Sequence, residues 1–302
     1  MPVLDHVATK SSGAADVSVS RDGAMAYISG VQGLLDLASY DRQGNEKPLN
    51  LQPRPFLSLR FSPDGQRIAL DLRDQENDIY IWDVSRRTLR KFTTGGYIEQ
   101  DPVWTPNGQR IAFSSTGTGR TNIYWQAADD FTGTSERLTT DANTQTPLAF
   151  TPDGKSLIFR EVDGTSGYAV LNKLELEGDR TPKPLFRTPV NSWNAALSPD
   201  GHWLAYQSTE SGQEEVVVSP FPEVESGHRQ VSSDGGNRPV WSPSGHELFY
   251  LDTRSRLMTA SFSRDRLTSA SHRPSSSLAS CERATARRGF SMSTLTDNTF
   301  SR

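Results

Sequence analysis

Residues 61–94 read FSPDGQRIALDLRDQENDIYIWDVSRRTLRKFTT, and this stretch decides the fold. Phe61 precedes a tight Ser-Pro-Asp-Gly turn at 62–65. Pro presets φ at the second turn position, Asp tolerates the third, and Gly supplies positive φ at the fourth. The turn opens into three short segments: RIALDL (67–72), DIYIWDV (78–84) and LRKFTT (89–94). The first two alternate as strands do, and the turn geometry joins antiparallel neighbours through a bulge-type hairpin.

The same unit recurs along the chain. Its turn appears as SRDG (20–23), SPDG (62–65), TPNG (105–108), TPDG (151–154), SPDG (198–201) and SPSG (242–245). Successive turn glycines lie 42 to 47 residues apart, a period that fits one blade of a β-propeller. Val19, Phe61, Trp104, Phe150, Leu197 and Trp241 precede the turns, and strands such as RIAFSS (110–115), WLAYQS (203–208) and ELFYLD (247–252) follow them. The expected fold is all-β, a six-bladed β-propeller of four-stranded antiparallel blades over residues 1–270. The turn Asp is expected to bond its own turn rather than a metal, since Asn107 and Ser244 replace it in two copies.

Composition narrows the function classes. Apolar residues make up 34% of 302, with 23 Gly and 18 Pro, a mix suited to many short strands and turns. A formal charge of −4 argues against a nucleic-acid surface, and no apolar stretch is long enough to span a membrane. MPVLDHVATK shows no basic segment followed by an apolar one, so the chain as it stands reads as cytoplasmic while its native compartment stays open. Cys281 is the single cysteine, which excludes an internal disulfide and any multi-cysteine metal site.

The repeated turn and its flanking strands resemble the WD40-like β-propeller repeats of the TolB type, over about residues 14 to 265. LRDQENDIYIWDVSRRTL (72–89), VWTPNGQRIAFSS (103–115), LSPDGHWLAYQSTESGQEEVVVSPFP (197–222) and RQVSSDGGNRPVWSPSGHELFYL (229–251) carry a closer resemblance. They are similar to propellers that follow the kinase domain of bacterial eukaryotic-like serine/threonine protein kinases. No Gly-rich phosphate loop, HRD or DFG is present. The resemblance implies a non-catalytic, protein- or ligand-binding propeller, the sensor or scaffold portion of a bacterial signalling protein.

Past about residue 266 the alternation fails, and 271–302 is expected to be an irregular tail. Two origins stay open: a frameshift that replaced a seventh Asp-Gly turn, or an ordinary flexible end. The last blade needs a fourth strand, for which the N-terminal PVLDHVAT (2–9) is favoured over Arg266–Ser271.

Propellers bind at the mouth of the central channel, where the innermost strands begin. Four residues before each turn lie Asp16, Ser58, Asp101, Pro147, Asn194 and Arg238; nearby stand Gln100, Thr146, Trp193, Asn237 and Arg60. From these, Asp16, Arg60, Gln100, Asp101, Trp193, Asn194, Asn237 and Arg238 form the expected ligand-binding set. It suits a protein or peptide partner, with Arg and Trp as anchors, bound by a monomer. No catalytic residue, metal site or cofactor is assigned. His246-Glu247 runs into Leu-Phe-Tyr, and neither a HExxH nor a GxSxG motif occurs. The alternative is a hydrolase or lyase with a divalent cation such as Ca²⁺ in the channel, held by Asp16, Glu99, Asp101 and Asn194.

Overall fold

The computed structural model describes residues 2–4, 17–19, 25–27, 38–40, 46–49, 51–73, 77–186, 191–254, 256–262 and 293–295. Among them every regular element is a strand. The chain begins with β1 (Pro2–Leu4), β2 (Val17–Val19), β3 (Met25–Tyr27), β4 (Ala38–Tyr40) and β5 (Glu46–Pro48). One blade follows as β6 (Phe56–Phe61), β7 (Arg67–Arg73), β8 (Asn77–Asp83) and β9 (Thr88–Lys91). The next holds β10 (Glu99–Trp104), β11 (Arg110–Ser115), β12 (Asn122–Ala127) and β13 (Glu136–Arg137). A third holds β14 (Thr144–Phe150), β15 (Ser156–Val162), β16 (Ala169–Glu175) and β17 (Lys183–Pro184). A fourth holds β18 (Ser192–Leu197), β19 (Trp203–Ser208), β20 (Glu215–Pro220) and β21 (Arg229–Gln230). The last is built from β22 (Asn237–Trp241), β23 (Glu247–Leu251) and β24 (Leu257–Ser261), with β1 as its fourth strand.

The expected N-terminal strap is therefore present. β1 pairs antiparallel with β24, Pro2 opposite Met258 and Leu4 opposite Leu257, which covers an edge that would otherwise stay open. The expected blade number is corrected: among the described residues five sheets have four strands, not six. In the first repeat β2 and β3 form a three-stranded sheet with β25 (Ser293–Leu295), while β4 and β5 pair as a separate ribbon. The edge of β3 that a third blade strand would take is occupied by β25, Ser293 opposite Tyr27 and Leu295 opposite Met25. β2 touches both β22 and β6, so this smaller unit closes the ring of innermost strands. The first turn (20–23) and Arg266–Ser271 lie outside the described residues, as does the tail 271–302 apart from β25.

The core sits between consecutive blades. On β7, Ile68, Leu70 and Leu72 pack towards one side with Leu59 and Trp82, while Ala69 joins Trp104, Ile111 and Phe113 of the next blade. β11 repeats the division: Ile111 and Phe113 face back, and Ala112 faces forward to Phe150, Leu157 and Phe159. Period-two alternation thus sends one face of each strand to each neighbour. Every fully buried Leu, Ile or Phe adds about 1.5–3 kcal/mol.

Each of the five described turns is held by one hydroxyl. Ser62 Oγ donates to Asp64 Oδ1 (2.5 Å) and accepts from the Arg67 amide (2.9 Å), while the Gly65 amide donates to the Ser62 carbonyl (2.9 Å). Thr105, Thr151, Ser198 and Ser242 repeat the pattern with Asn107, Asp153, Asp200 and Ser244. The Thr151 hydroxyl and then the Lys155 amide hold the Asp153 carboxyl below the usual carboxylate range. These acids are turn residues, as expected.

Successive turns also nest. A β-carbon on Gly201 (φ 73°) would meet Pro152 Cδ and Cγ at 3.0 Å, whereas one on Gly119 (φ 82°) would meet nothing within 4 Å. Gly119→Ala should therefore lose only the backbone term, about 1 kcal/mol. Gly201→Ala should lose clearly more in urea denaturation, and equal losses would contradict the nesting of turn on turn.

Candidate functional site

The innermost strands share an irregularity at the end away from the turns. Pairing slips between Gln100 and Val103 in β10, Trp193 and Ala196 in β18, and Asn237 and Val240 in β22. Within each slip one residue has a left-handed backbone: Asp101 (φ 56°), Asn194 (φ 47°) and Arg238 (φ 54°). Asp and Asn tolerate this conformation, but an arginine gains no such local compensation. Strain of that kind concentrates at functional sites. In β14 the equivalent residue is Pro147, whose ring forbids positive φ, and the slip falls between Pro147 and Ala149. In β6 it falls between Phe56 and Ser58.

A second tier comes from the strand after each turn. Asp71, Ser114, Arg160, Gln207 and Leu251 each lie six residues past a turn glycine. All five are buried, and Asp71, Arg160 and Gln207 bond to residues of the first tier. Ser58 Oγ donates to Asp71 Oδ2 (3.3 Å), which also accepts the Asp101 amide of the next blade (3.3 Å). Arg160 Nη2 donates to Thr146 Oγ1 (3.0 Å), and Asn194 Nδ2 donates to Gln207 Oε1 (2.6 Å). Burial lowers the pKa of the Arg160 guanidinium, and the Asp101 charge opposes that fall. The inner wall is thus acidic at Asp71 and Asp101, basic at Arg160 and Arg238, and amide-lined at Asn194 and Gln207.

Most residues expected from the sequence gather here. Asp101, Asn194 and Arg238 are the bulged, buried residues. Gln100, Trp193 and Asn237 are half-buried beside them, and Asn237 Oδ1 and Asn194 Oδ1 have no hydrogen-bond partner among the described residues. Arg60 stands apart: it lies two residues further along β6 than Ser58, towards the turn, with Nη1 donating to the Leu59 carbonyl (2.9 Å). Asp16 lies outside the described residues.

Asp71, Arg160 and Gln207 were not anticipated. Their signal was a polar residue placed late in an apolar strand, as in RIALDL, SLIFRE and WLAYQS. Of the oxygen ligands considered for a cation, the three among the described residues do not converge. Glu99 sits with Thr93 and Ser115, Asp101 with Asp71 and Arg160, and Asn194 with Gln207. Among the described residues no three His, Cys, Asp or Glu side chains gather.

Removing one member of a buried charge pair strands the other, typically at about 3–5 kcal/mol. Arg160→Gln should destabilise the fold by that order, and Asp101→Asn in the same chain should restore part of it. A double-mutant cycle on urea denaturation reads the coupling; strictly additive losses would show that the two charges do not interact.

Residues 43–179 match the TolB beta propeller domain family. The Tol-Pal system protein TolB of Francisella tularensis subsp. mediasiatica is 31% identical over 231 residues, covering 72% of this chain. The chain spans about half the length of the curated relatives it matches, 51% in that case. Among solved structures, a TolB from Agrobacterium tumefaciens, described as putative, superposes with a TM-score of 0.65 at 19% identity, covering 77% of this chain and 87% of its own. TolB from Acinetobacter baumannii gives 0.62 at 23%, covering 78% and 63%. These likenesses do not reach the narrower kinase-linked branch. With the repeated turn and the four-stranded blades, they make this chain a member of the TolB-like β-propeller family.

Proposed function

We propose that this propeller is a non-catalytic binding module, acting as a monomer, that takes an extended segment of a protein partner at the channel mouth. The observation that carries this reading is the left-handed Arg238, buried beside half-buried Trp193 and Asn237 on the strands that meet at the mouth.

The surrounding surface supports it. In an antiparallel blade the second-to-third strand loops and the links to the next blade open on the mouth face. Tyr97, Ile98 and Tyr168, the exposed large hydrophobic residues among those described, all lie in such connections. A polar centre with aromatic side chains beside it is the make-up of a peptide-binding surface, where Trp, Tyr and Arg anchor the partner. The relatives are named as proteins of the Tol-Pal system, and a mouth of this kind is suited to such an assembly. The same surface would serve as the sensor or scaffold portion of a signalling protein. Among the described residues no helix is long and apolar enough to cross a membrane.

Peptides selected by display against the folded protein test the reading. Arg238→Ala and Trp193→Ala should weaken binding at least tenfold, about 1.4 kcal/mol, while His202→Ala on the turn face should leave it unchanged. Binding that ignores the mouth variants would refute it. A selective rise in melting temperature with Ca²⁺, Mg²⁺, Mn²⁺ or Zn²⁺ after chelation would favour a cation-centred enzyme instead.

A further inference from the structure

Beside the mouth, two carboxyl groups are buried together where β8 meets β10. Asp78 is 1% exposed and Glu99 4%. Asp78 Oδ1 accepts the Thr93 hydroxyl (3.2 Å), and Lys91 Nζ lies 2.8 Å from Asp78 Oδ2. Glu99 Oε1 accepts the Ser115 hydroxyl (3.4 Å), while Glu99 Oε2 is buried with no hydrogen-bond partner. Lys91 thus pairs with Asp78, and among the described residues no ion pair to Glu99 is present.

The next blade contains the same junction with amides in place of both carboxyls, and there Gln145 Nε2 donates to Glu161 Oε2 (2.9 Å) where Glu99 meets Ser115. Thr93 Oγ1 accepts the Ile79 amide (3.0 Å), and Thr139 Oγ1 accepts the Ile123 amide (3.0 Å). Asn122 precedes Ile123 as Asp78 precedes Ile79, and Arg137 stands two residues before Thr139 as Lys91 does before Thr93. Arg137 donates to Asn122 Oδ1, in the place of the Lys91–Asp78 pair. Gln145, fully buried, is six residues before its turn threonine, as Glu99 is before Thr105. One protein thus holds an Asn–Gln version and an Asp–Glu version of a single arrangement. A protonated Glu99, uncharged as Gln145 is, is the nearer copy of the amide at that position.

Packed on the carboxyl is the Thr94–Ile98 segment. A β-carbon on Gly95 would fall 2.7 Å from the Tyr97 ring and 3.3 Å from Glu99 Oε1. The segment is pinned at its far end, where the Ile98 amide donates to Thr116 Oγ1 (3.0 Å). Its outer side carries the exposed Tyr97 and Ile98.

We propose that Glu99 is a one-proton latch: with the proton on, the Thr94–Ile98 segment is held against the blade junction, and loss of the proton releases it. Because that segment belongs to the mouth face, the latch regulates the surface assigned above and rests on that reading for its consequence, though not for its operation. Burial, opposed by the Thr93 and Ser115 hydroxyls and reinforced by the Asp78 charge, pushes Glu99 up to about 7. Among the described residues, Asp78 from β8, Lys91 from β9 and Tyr97 from the segment itself are the titratable groups at the junction. Asp101 on β10 and Asp71 on β7 lie further in along the channel. A carboxyl whose folded pKa is raised contributes stability below its unfolded pKa and loses it as pH rises through the folded one. The latch is therefore closed in mild acid and open above neutrality.

Amide hydrogen exchange of the free protein between about pH 5 and pH 8, corrected for intrinsic rates, tests this without any partner. In the native protein, protection of the Thr94–Ile98 amides should fall as pH passes about 7. Glu99→Gln, which copies Gln145, should keep them protected throughout. Asp78→Asn should move the break to lower pH and remains informative if the first variant folds poorly. A native protein with no break, or a Glu99→Gln chain with the native break, would overturn the latch. Either result leaves peptide binding at the mouth to be judged separately.

Discussion

The hydroxyl that heads each of these turns, on Ser62, Thr105, Thr151, Ser198 or Ser242, accepts the first amide of the following strand and bonds the turn residue two places on, as donor in the first four and through a hydroxyl–hydroxyl bond in which either oxygen can donate in Ser242's case. One small side chain thereby fixes where the innermost strand ends and where the next begins. The glycine that closes one turn rests near the proline of the previous one, from Gly108 on Pro63 to Gly245 on Pro199. The spacing of blades is set at this face, where the chain is tightest. Between blades, alternation then delivers Ile and Phe to one neighbour and Ala to the other, as on β11.

At the opposite face the strands slip, and polar groups fill the inner wall. Burying charges such as Asp71, Asp101, Arg160 and Arg238 costs several kcal/mol each before pairing offsets it. An apolar filling of similar volume is often as stable or more so, so stability alone is a weak reason for these residues. Left-handed Arg238 adds backbone strain on top. The turn face therefore builds the propeller, and the mouth face carries features that cost stability and fit recognition. The blade junctions show how finely this is tuned: an amide pair, Asn122 and Gln145, in one and a carboxyl pair, Asp78 and Glu99, in the other.

Much of this was legible before any coordinates. The later five turns, the strands that follow them and the closing role of Pro2–Leu4 all follow from motif and alternation. Counting back four residues from the turns reached Asp101, Asn194 and Arg238, because the slip falls at a fixed distance from the turn. The number of four-stranded blades was not legible. It depends on Ser293–Leu295 pairing with Met25–Tyr27, and neither segment carries a motif that announces the other. Asp71, Arg160 and Gln207 escaped for a different reason. They lie forward of the turns inside apolar strands, and only the folded ring brings them against the residues counted backward. Arg60 shows the converse error, since nearness to the motif in sequence put it on the wrong end of β6.

Backbone amide chemical-shift mapping with a selected peptide bound tests most directly whether the mouth is the working surface. The predicted result is a cluster of perturbed amides at Gln100–Asp101, Trp193–Asn194 and Asn237–Arg238, with the turns at 62–65, 105–108 and 151–154 unmoved. Perturbations confined to those turns, or to the outermost strands β9, β13 and β17, would contradict it.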